Sequence, residues 1–184
     1  RKYHKWLMLF VGLQFVIWSI SGAYMVIFDI DYIHGDSLVV NHQAPLKSEQ
    51  INYSIAKLYT EYPNAKSIEL TTLLDEAVYR FSDGKGKNKR KYLLSASTGK
   101  LLSPISEGHA VRIAKHLYEQ TNAVTRQASL ITNNPPFELK VRHLPVWRVD
   151  FDDFASPSFY ISVQTGKLVT KRHTFWRLFD WMFS

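Results

Sequence analysis

The chain has no cysteine. That removes disulfides, thiolate metal sites and cysteine nucleophiles together, without fixing a compartment. Glycine and proline are sparse, at 8 and 7 of 184 residues. No glycine-rich phosphate loop, serine nucleophile elbow or zinc motif can be read in the sequence. Negative charge is short as well: 16 Asp and Glu stand against 23 Lys and Arg, a net charge of +7. The positives are spread out and several flank an apolar run, so the excess does not point to nucleic acid. There is no initiating methionine, and the last residues are apolar and aromatic. The sequence is therefore expected to be part of a longer chain.

The run from Trp6 to Phe28 carries no charge at all. At 1.5 Å per residue it makes about 34 Å of helix, enough for a hydrocarbon core of about 30 Å with some tilt. It is longer than the apolar region of a cleaved signal. Bulky Tyr24, Met25, Val26, Ile27 and Phe28 follow its one small cluster, Ser19 to Ala23, so an uncleaved anchor is expected. Arg1, Lys2 and Lys5 form a basic flank, residues 1–5, that belongs on the cytoplasmic side. Trp6 and Tyr24 or Phe28 fit the two interfacial belts. Within the span, Gly12, Ser19, Gly22 and Ala23 are small and Gln14 is polar. Ser19 and Ala23 lie one helical turn apart, a spacing that lets another helix approach closely. The expected partners are the lipid bilayer and other transmembrane helices or a membrane complex, not nucleic acid.

Beyond the span, residues 29–47 read as a connector. Asp29, Asp31, His34 and Asp36 form its best cluster of oxygen and nitrogen ligands, with a juxtamembrane turn as the plainer reading. A strand-like Ser-Leu-Val-Val follows. The rest contains an internal repeat. Ser48-Glu49 with Ile55-Ala56-Lys57 is answered at constant offset by Ser106-Glu107 with Ile113-Ala114-Lys115. Both serines read as helix N-caps. Val111, Ala114, Leu117 and Tyr118 give the second helix an apolar stripe. Tyr92 to Ser103, with Thr98-Gly99-Lys100 inside, is answered by Phe159 to Thr170, with Thr165-Gly166-Lys167. The second offset is larger, so the second unit carries an insertion between its helix and its last hairpin.

Each Thr-Gly-Lys is expected to be a tight turn between short strands. Ser67–Leu74, Ala77–Phe81, Val124–Ile131 and Val146–Phe151 read as further strands, and the lysine-rich 83–90 as a solvated hairpin loop. Asn133-Asn-Pro-Pro136 interrupts the second unit. The fold class is α+β: one transmembrane helix, then two units, 48–105 and 106–171, each a helix on an antiparallel sheet with the other sheet face open. Residues 172–184, with Trp176, are an aromatic segment approaching a second membrane helix or lying at the interface.

In order along the chain, Lys2-Tyr-His4-Lys5-Trp6, Asp29-Ile-Asp-Tyr-Ile-His-Gly-Asp36, the paired Thr-Gly-Lys units, Pro145-Val-Trp-Arg-Val-Asp150-Phe-Asp-Asp153 and Trp176-Arg-Leu-Phe-Asp180 resemble the PepSY-associated transmembrane family. Its members are bacterial inner-membrane proteins whose PepSY domains face the periplasm. The resemblance covers nearly the whole chain. It implies further transmembrane helices after the aromatic tail, and a link to iron acquisition as ferric-siderophore reductases or as partners of flavin or haem modules. Some members bind haem b through helix histidines. PepSY domains elsewhere occur in protease propeptides, where they bind or inhibit.

Candidate chemistry is thin. Of seven histidines only His4 adjoins the span, which makes it the haem-ligand candidate, although beside Lys5 and Trp6 it also fits a headgroup anchor. His173 lies on the opposite side of the membrane from His4, so the two cannot share a metal. His109 and His116 share a helix face without a carboxylate to complete a set. No metal site is assigned. Asp150 and Asp152 share a strand face within reach of Arg148. Together with Asp29, Asp31, His34, Trp147 and Trp176, Asp150 forms the candidate recognition set. No catalytic residue is assigned. The expected function is a membrane-anchored periplasmic binding or scaffold protein, an accessory subunit of a membrane redox or iron-handling system. The alternatives are a haem reductase whose haem-binding helices lie beyond Ser184, and a regulator of a periplasmic peptidase.

Overall fold

The structure, a computed structural model, describes residues 2–27, 39, 45–86, 89–118, 120, 122–154, 156–174 and 176–177. Helix α1, Lys2–Ile27, takes in the apolar run from Trp6 to Ile27. It is long and apolar enough to cross a membrane, and only 6% of its most apolar window is buried. Leu7, Phe10, Phe15 and Trp18 are all more than half exposed.

The body that follows is α+β, as expected. A 3-10 turn, Ser48–Gln50, leads to helix α2, Ile55–Glu61. Strands β1 (Lys66–Leu73), β2 (Glu76–Asp83) and β3 (Arg90–Ser95) form an antiparallel meander. Helix α3, Glu107–Leu117, opens the second unit. Its sheet is β4 (Val124–Ile131), β5 (Val146–Asp152), β6 (Ser158–Ser162) and β7 (Leu168–Arg172), again a sequential antiparallel meander.

The repeat holds down to single hydrogen bonds. Gly99 N donates to Ser95 O at 2.9 Å and Gly166 N to Ser162 O at 2.9 Å. Ser95 N donates to Lys100 O and Ser162 N to Lys167 O, each at 2.9 Å. Both glycines have positive φ, +74° and +63°, the conformation that glycine adopts without steric cost. Each unit's first strand also carries a register shift near its start, after Lys66 in β1 and after Thr125 in β4.

The units differ in three places, each with a local cause. Ser48 does not cap a helix. The chain breaks at Ile51–Tyr53, where Tyr53 N donates to Ala96 O at 2.9 Å, and Ser54 becomes the N-cap, accepting from Lys57 N. Ser106 does cap α3, accepting from His109 N. Secondly, Leu101 makes one bridge to Leu94 where the second unit has a full strand. Pro104 cannot donate to a ladder, and the Ser103 hydroxyl instead accepts from Leu93 N at 3.1 Å. Thirdly, Leu74 and Asp75, both at positive φ, turn β1 into β2, whereas Thr132 to Pro145 separate β4 from β5.

The packing also departs from two separate units with open faces. Ala77, Tyr79, Phe81 and Leu94 face α2, with Leu58 wholly buried among them. Val78 and Leu93 alternate to the opposite face. There they join Ala110, Ile113 and Ala114 of α3 and Val149, Phe151, Phe159 and Ile161 of the second sheet in one core. The buried stripe of α3 thus centres on Ala110, Ile113 and Ala114, with Val111 and Leu117 partly buried at its flanks. Burying each Leu, Ile or Phe here contributes roughly 1.5–3 kcal/mol. The second Thr-Gly-Lys turn rests on the same layer: a Cβ on Gly166 would stand 2.9 Å from Leu73 Cδ2 and 3.4 Å from Ile113 Cδ1.

Candidate functional site

β5 alternates strictly. Val149 and Phe151 point into the shared core, while Arg148 and Asp150 point to the other face of the second sheet. On that face polar side chains meet. The Asp150 carboxylate accepts from Ser158 Oγ at 2.6 Å, Arg148 Nε at 2.8 Å and Gln127 Nε2 at 3.1 Å. Arg177 donates from Nη2 to Ser158 Oγ at 2.8 Å. It also grips Glu138 with Nε and Nη2, at 3.0 and 3.1 Å. The Tyr160 hydroxyl donates to the same Glu138 carboxylate. This chain of charge-assisted bonds joins the insertion, the three strands β4, β5 and β6, and the residues after β7.

The electrostatics follow from these contacts. Burial pushes the Glu138 carboxyl up, but the bonds from Arg177 and Tyr160 outweigh it and hold it below its ordinary value. Burial, then the neighbouring Glu138, pushes the Tyr160 phenol well up. Burial pushes the Arg148 guanidinium down, but its bond to Asp150 and the charges of Tyr160, Asp150 and Glu138 together outweigh that and hold it above its ordinary value. A cavity of about 330 Å³ opens beside the network, lined by Arg126, Gln127, Arg148, Asp150, Ser158 and Arg177 among others. Asp150 already accepts from three donors, which suits it to hold its neighbours in place.

The structure scatters the rest of the expected set. Trp147 lies on the core face of β5, opposite to Asp150, and its indole N–H donates to Ile105 O at 2.9 Å. Since Ile105 N donates to Val163 O at 2.8 Å, Trp147 fixes the link between the two units. Asp152, expected to share a face with Asp150, is exposed at the end of β5. Trp176 is half-buried, with the Arg172 guanidinium 4.0 Å from its ring centroid. The described start of the aromatic segment makes one helical turn, closed by Arg177 N on His173 O at 3.1 Å. His173 itself is buried.

His4 is exposed on α1. Gly12, Gln14, Ser19, Gly22 and Ala23 are exposed as well, and a Cβ on Gly12 or Gly22 would meet nothing within 4 Å. The Ser21 hydroxyl bonds back to Trp18 O at 3.0 Å. Asp29, Asp31 and His34, like Asp36, lie outside the described residues, as does the end of the aromatic segment. Of the strand-like stretch after them, Val39 is described and bridges to Tyr118. His109 is held below its ordinary value by burial and then by Arg112. Among the described residues no three of His, Asp and Glu are grouped to hold a metal ion.

Glu138, Ser158, Tyr160 and Arg177 were not legible as a group. Arg177 reads as a charge interrupting an aromatic run, and Glu138 as part of a Pro-rich loop. Their one shared signal is a charge beside apolar neighbours, which needs the fold to acquire a partner. Compared with models of known protein families, with curated proteins and with solved structures, the chain matches none.

Proposed function

We propose that this protein is a membrane-anchored binding and scaffold module of the PepSY-associated transmembrane type, serving as accessory subunit to a membrane redox or iron-handling system. The observation that carries the reading is α1: a 26-residue helix whose apolar side chains stand exposed beside a body with its own buried core. Such a surface needs lipid or other apolar helices around it. The matched Thr-Gly-Lys turns favour two duplicated units. In this reading the basic end of α1 stays in the cytoplasm and the body faces the periplasm of a bacterial inner membrane. Gly12, Gln14, Ser19, Gly22 and Ala23 are the helix-packing residues of this reading, with Gly12, Ser19 and Ala23 on one side of the helix and Gln14 on the opposite side.

The test is purification of the protein from membranes in mild detergent. Co-purification with a membrane oxidoreductase is the expected result. A reporter fused after Asp36 and active only in the cytoplasm would overturn the topology. A Soret band with a split reduced α-band would replace the accessory role with a haem reductase. Inhibition of a periplasmic peptidase that disappears on deleting residues 48–170 would replace it with a regulator.

A further inference from the structure

A groove of about 550 Å³ lies where the two units meet. Lys89 and Lys91 reach it from the first unit, at the start of β3. Lys167 reaches it from the second Thr-Gly-Lys turn, and Arg142 from the 3-10 turn in the insertion. A second hollow of about 300 Å³ continues it, since Lys89, Lys91 and Lys167 line both. Among the described residues, every ionisable side chain lining the larger hollow is basic. The smaller one adds a single carboxylate among them, Glu69, beside Arg80. None of these three lysines, nor Arg142, has an acidic partner among the described residues. The nearest bond, from Arg142 Nε to His143 Nε2 at 3.2 Å, joins two members of the same basic cluster. Burial, then the charges of Arg142, Lys91 and Lys140, pushes the His143 imidazole down. Positive charge from both units therefore converges on one concave surface.

The surface is not uniformly polar. Leu168 and Val169 line it between the cations, and they belong to β7, the last strand of its sheet. An extended peptide laid beside this strand finds an outer side that pairs with no other strand among the described residues.

We infer that this inter-unit groove binds an extended acidic peptide segment of a partner protein, its carboxylates against Lys89, Lys91, Lys167 and Arg142 and its apolar side chains over Leu168 and Val169. This rests on reading the body as a binding module and names the class of its partner. The alternatives fit the surface less well. A bare phosphate leaves the apolar strip uncovered. A flat lipid surface does not enter a groove. Single-stranded nucleic acid calls for a row of exposed aromatic rings, and Phe81, the one Phe, Tyr or Trp among the described lining residues, is buried. The duplication supplies an internal control: Lys100 occupies the same turn position as Lys167, is exposed, and does not line the groove.

The experiment uses the full chain in neutral-detergent micelles and a fluorescent peptide alternating Glu and Val. Anisotropy should show saturable binding that weakens with salt. The double change Lys91→Glu with Lys167→Glu should lower affinity at least tenfold, by a rough charge-pair expectation. Lys100→Glu with Lys115→Glu alters net charge equally and should lower it less than about threefold. Near-UV circular dichroism checks that each variant is folded, and Lys167→Gln serves as the milder change if the double variant is not. Absence of saturable binding overturns the proposal, and so does equal loss in both double variants. Complete competition by millimolar inorganic phosphate, with no dependence on the valines, would reduce the groove to an anion site. Binding of anionic vesicles through Lys91 and Lys167 without peptide binding would make it a lipid contact. Each of those results overturns the peptide assignment and leaves the reporter and co-purification tests untouched. A cytoplasmic reporter, conversely, would end the topological reading while peptide binding stayed measurable.

Discussion

Glu138 and Arg177 show how much one residue pair can hold. The pair closes the insertion onto the segment after β7 through two bonds of 3.0 and 3.1 Å. Its side chains are 10% and 34% exposed, so solvent screens it more than a fully buried pair. Arg177→Ala is expected to cost about 1–3 kcal/mol in denaturant unfolding of the micellar protein. The Glu138 carboxyl is held below its ordinary value. Its stabilisation is therefore complete above the unfolded value of 4.5 and is lost as pH falls through the folded one. Tyr160 runs the other way. Its phenol is raised, so its contribution is complete below the unfolded value of 10.0 and is lost as pH rises past it. Tyr53, pushed up to about 12 by burial and then by Glu61, adds to the same alkaline limb. Unfolding midpoints measured across pH should fall at both ends, and Glu138→Gln and Tyr160→Phe should flatten the acid and alkaline limbs respectively.

Single elements carry their own tests. Removing the α3 cap by Ser106→Ala should cost about 1 kcal/mol, and Ser54→Ala should weaken α2 by a similar amount. Ser48→Ala should change the midpoint by less than about 0.5 kcal/mol, because Ser48 lies inside the 3-10 turn, whose N-cap position is Lys47, and caps neither that turn nor α2. Equal effects at Ser48 and Ser54 would mean that α2 begins earlier than the structure places it. The second Thr-Gly-Lys turn is the sharper case. Gly166→Ala imposes a left-handed side-chain-bearing residue, costing roughly 1–2 kcal/mol, before its Cβ meets Leu73 at 2.9 Å. The same denaturation measurement should therefore show a loss of more than about 1.5 kcal/mol.

The whole molecule is decided by the shared core. Ile113 belongs to the second unit by sequence, yet it packs in one cluster with Val78 and Leu93 of the first. Ile113→Ala should cost about 2–5 kcal/mol. It should lower hydrogen-exchange protection in β2 and β3 together with that in β5 and β6. Loss confined to the second unit would show two independent folding units instead. Helix α1, by contrast, takes no part in the three core clusters. Deleting residues 1–27 is expected to leave the far-UV spectrum of the sheets in place and to shift the protein from the membrane fraction to the soluble one.

The α+β class, the apolar helix, most strand boundaries and both glycine turns were determined by sequence alone. They depend on local rules: period-2 alternation, a charge-free run, and a glycine where φ must be positive. Ser106 could be read as a cap because its partner, His109 N, lies three residues on. Ser48 reads as a cap by the same local rule, but the helix start is displaced where Tyr53 N donates to Ala96 O, far along the chain. The same limit hid the Glu138, Ser158, Tyr160 and Arg177 network and the groove between Lys91 and Lys167. Each arises where residues distant in sequence are brought together by the two units folding onto one core, and no local pattern encodes that meeting. Tertiary structure decided which faces were covered, because the face of the first sheet opposite α2 is closed by apolar side chains that the second unit supplies.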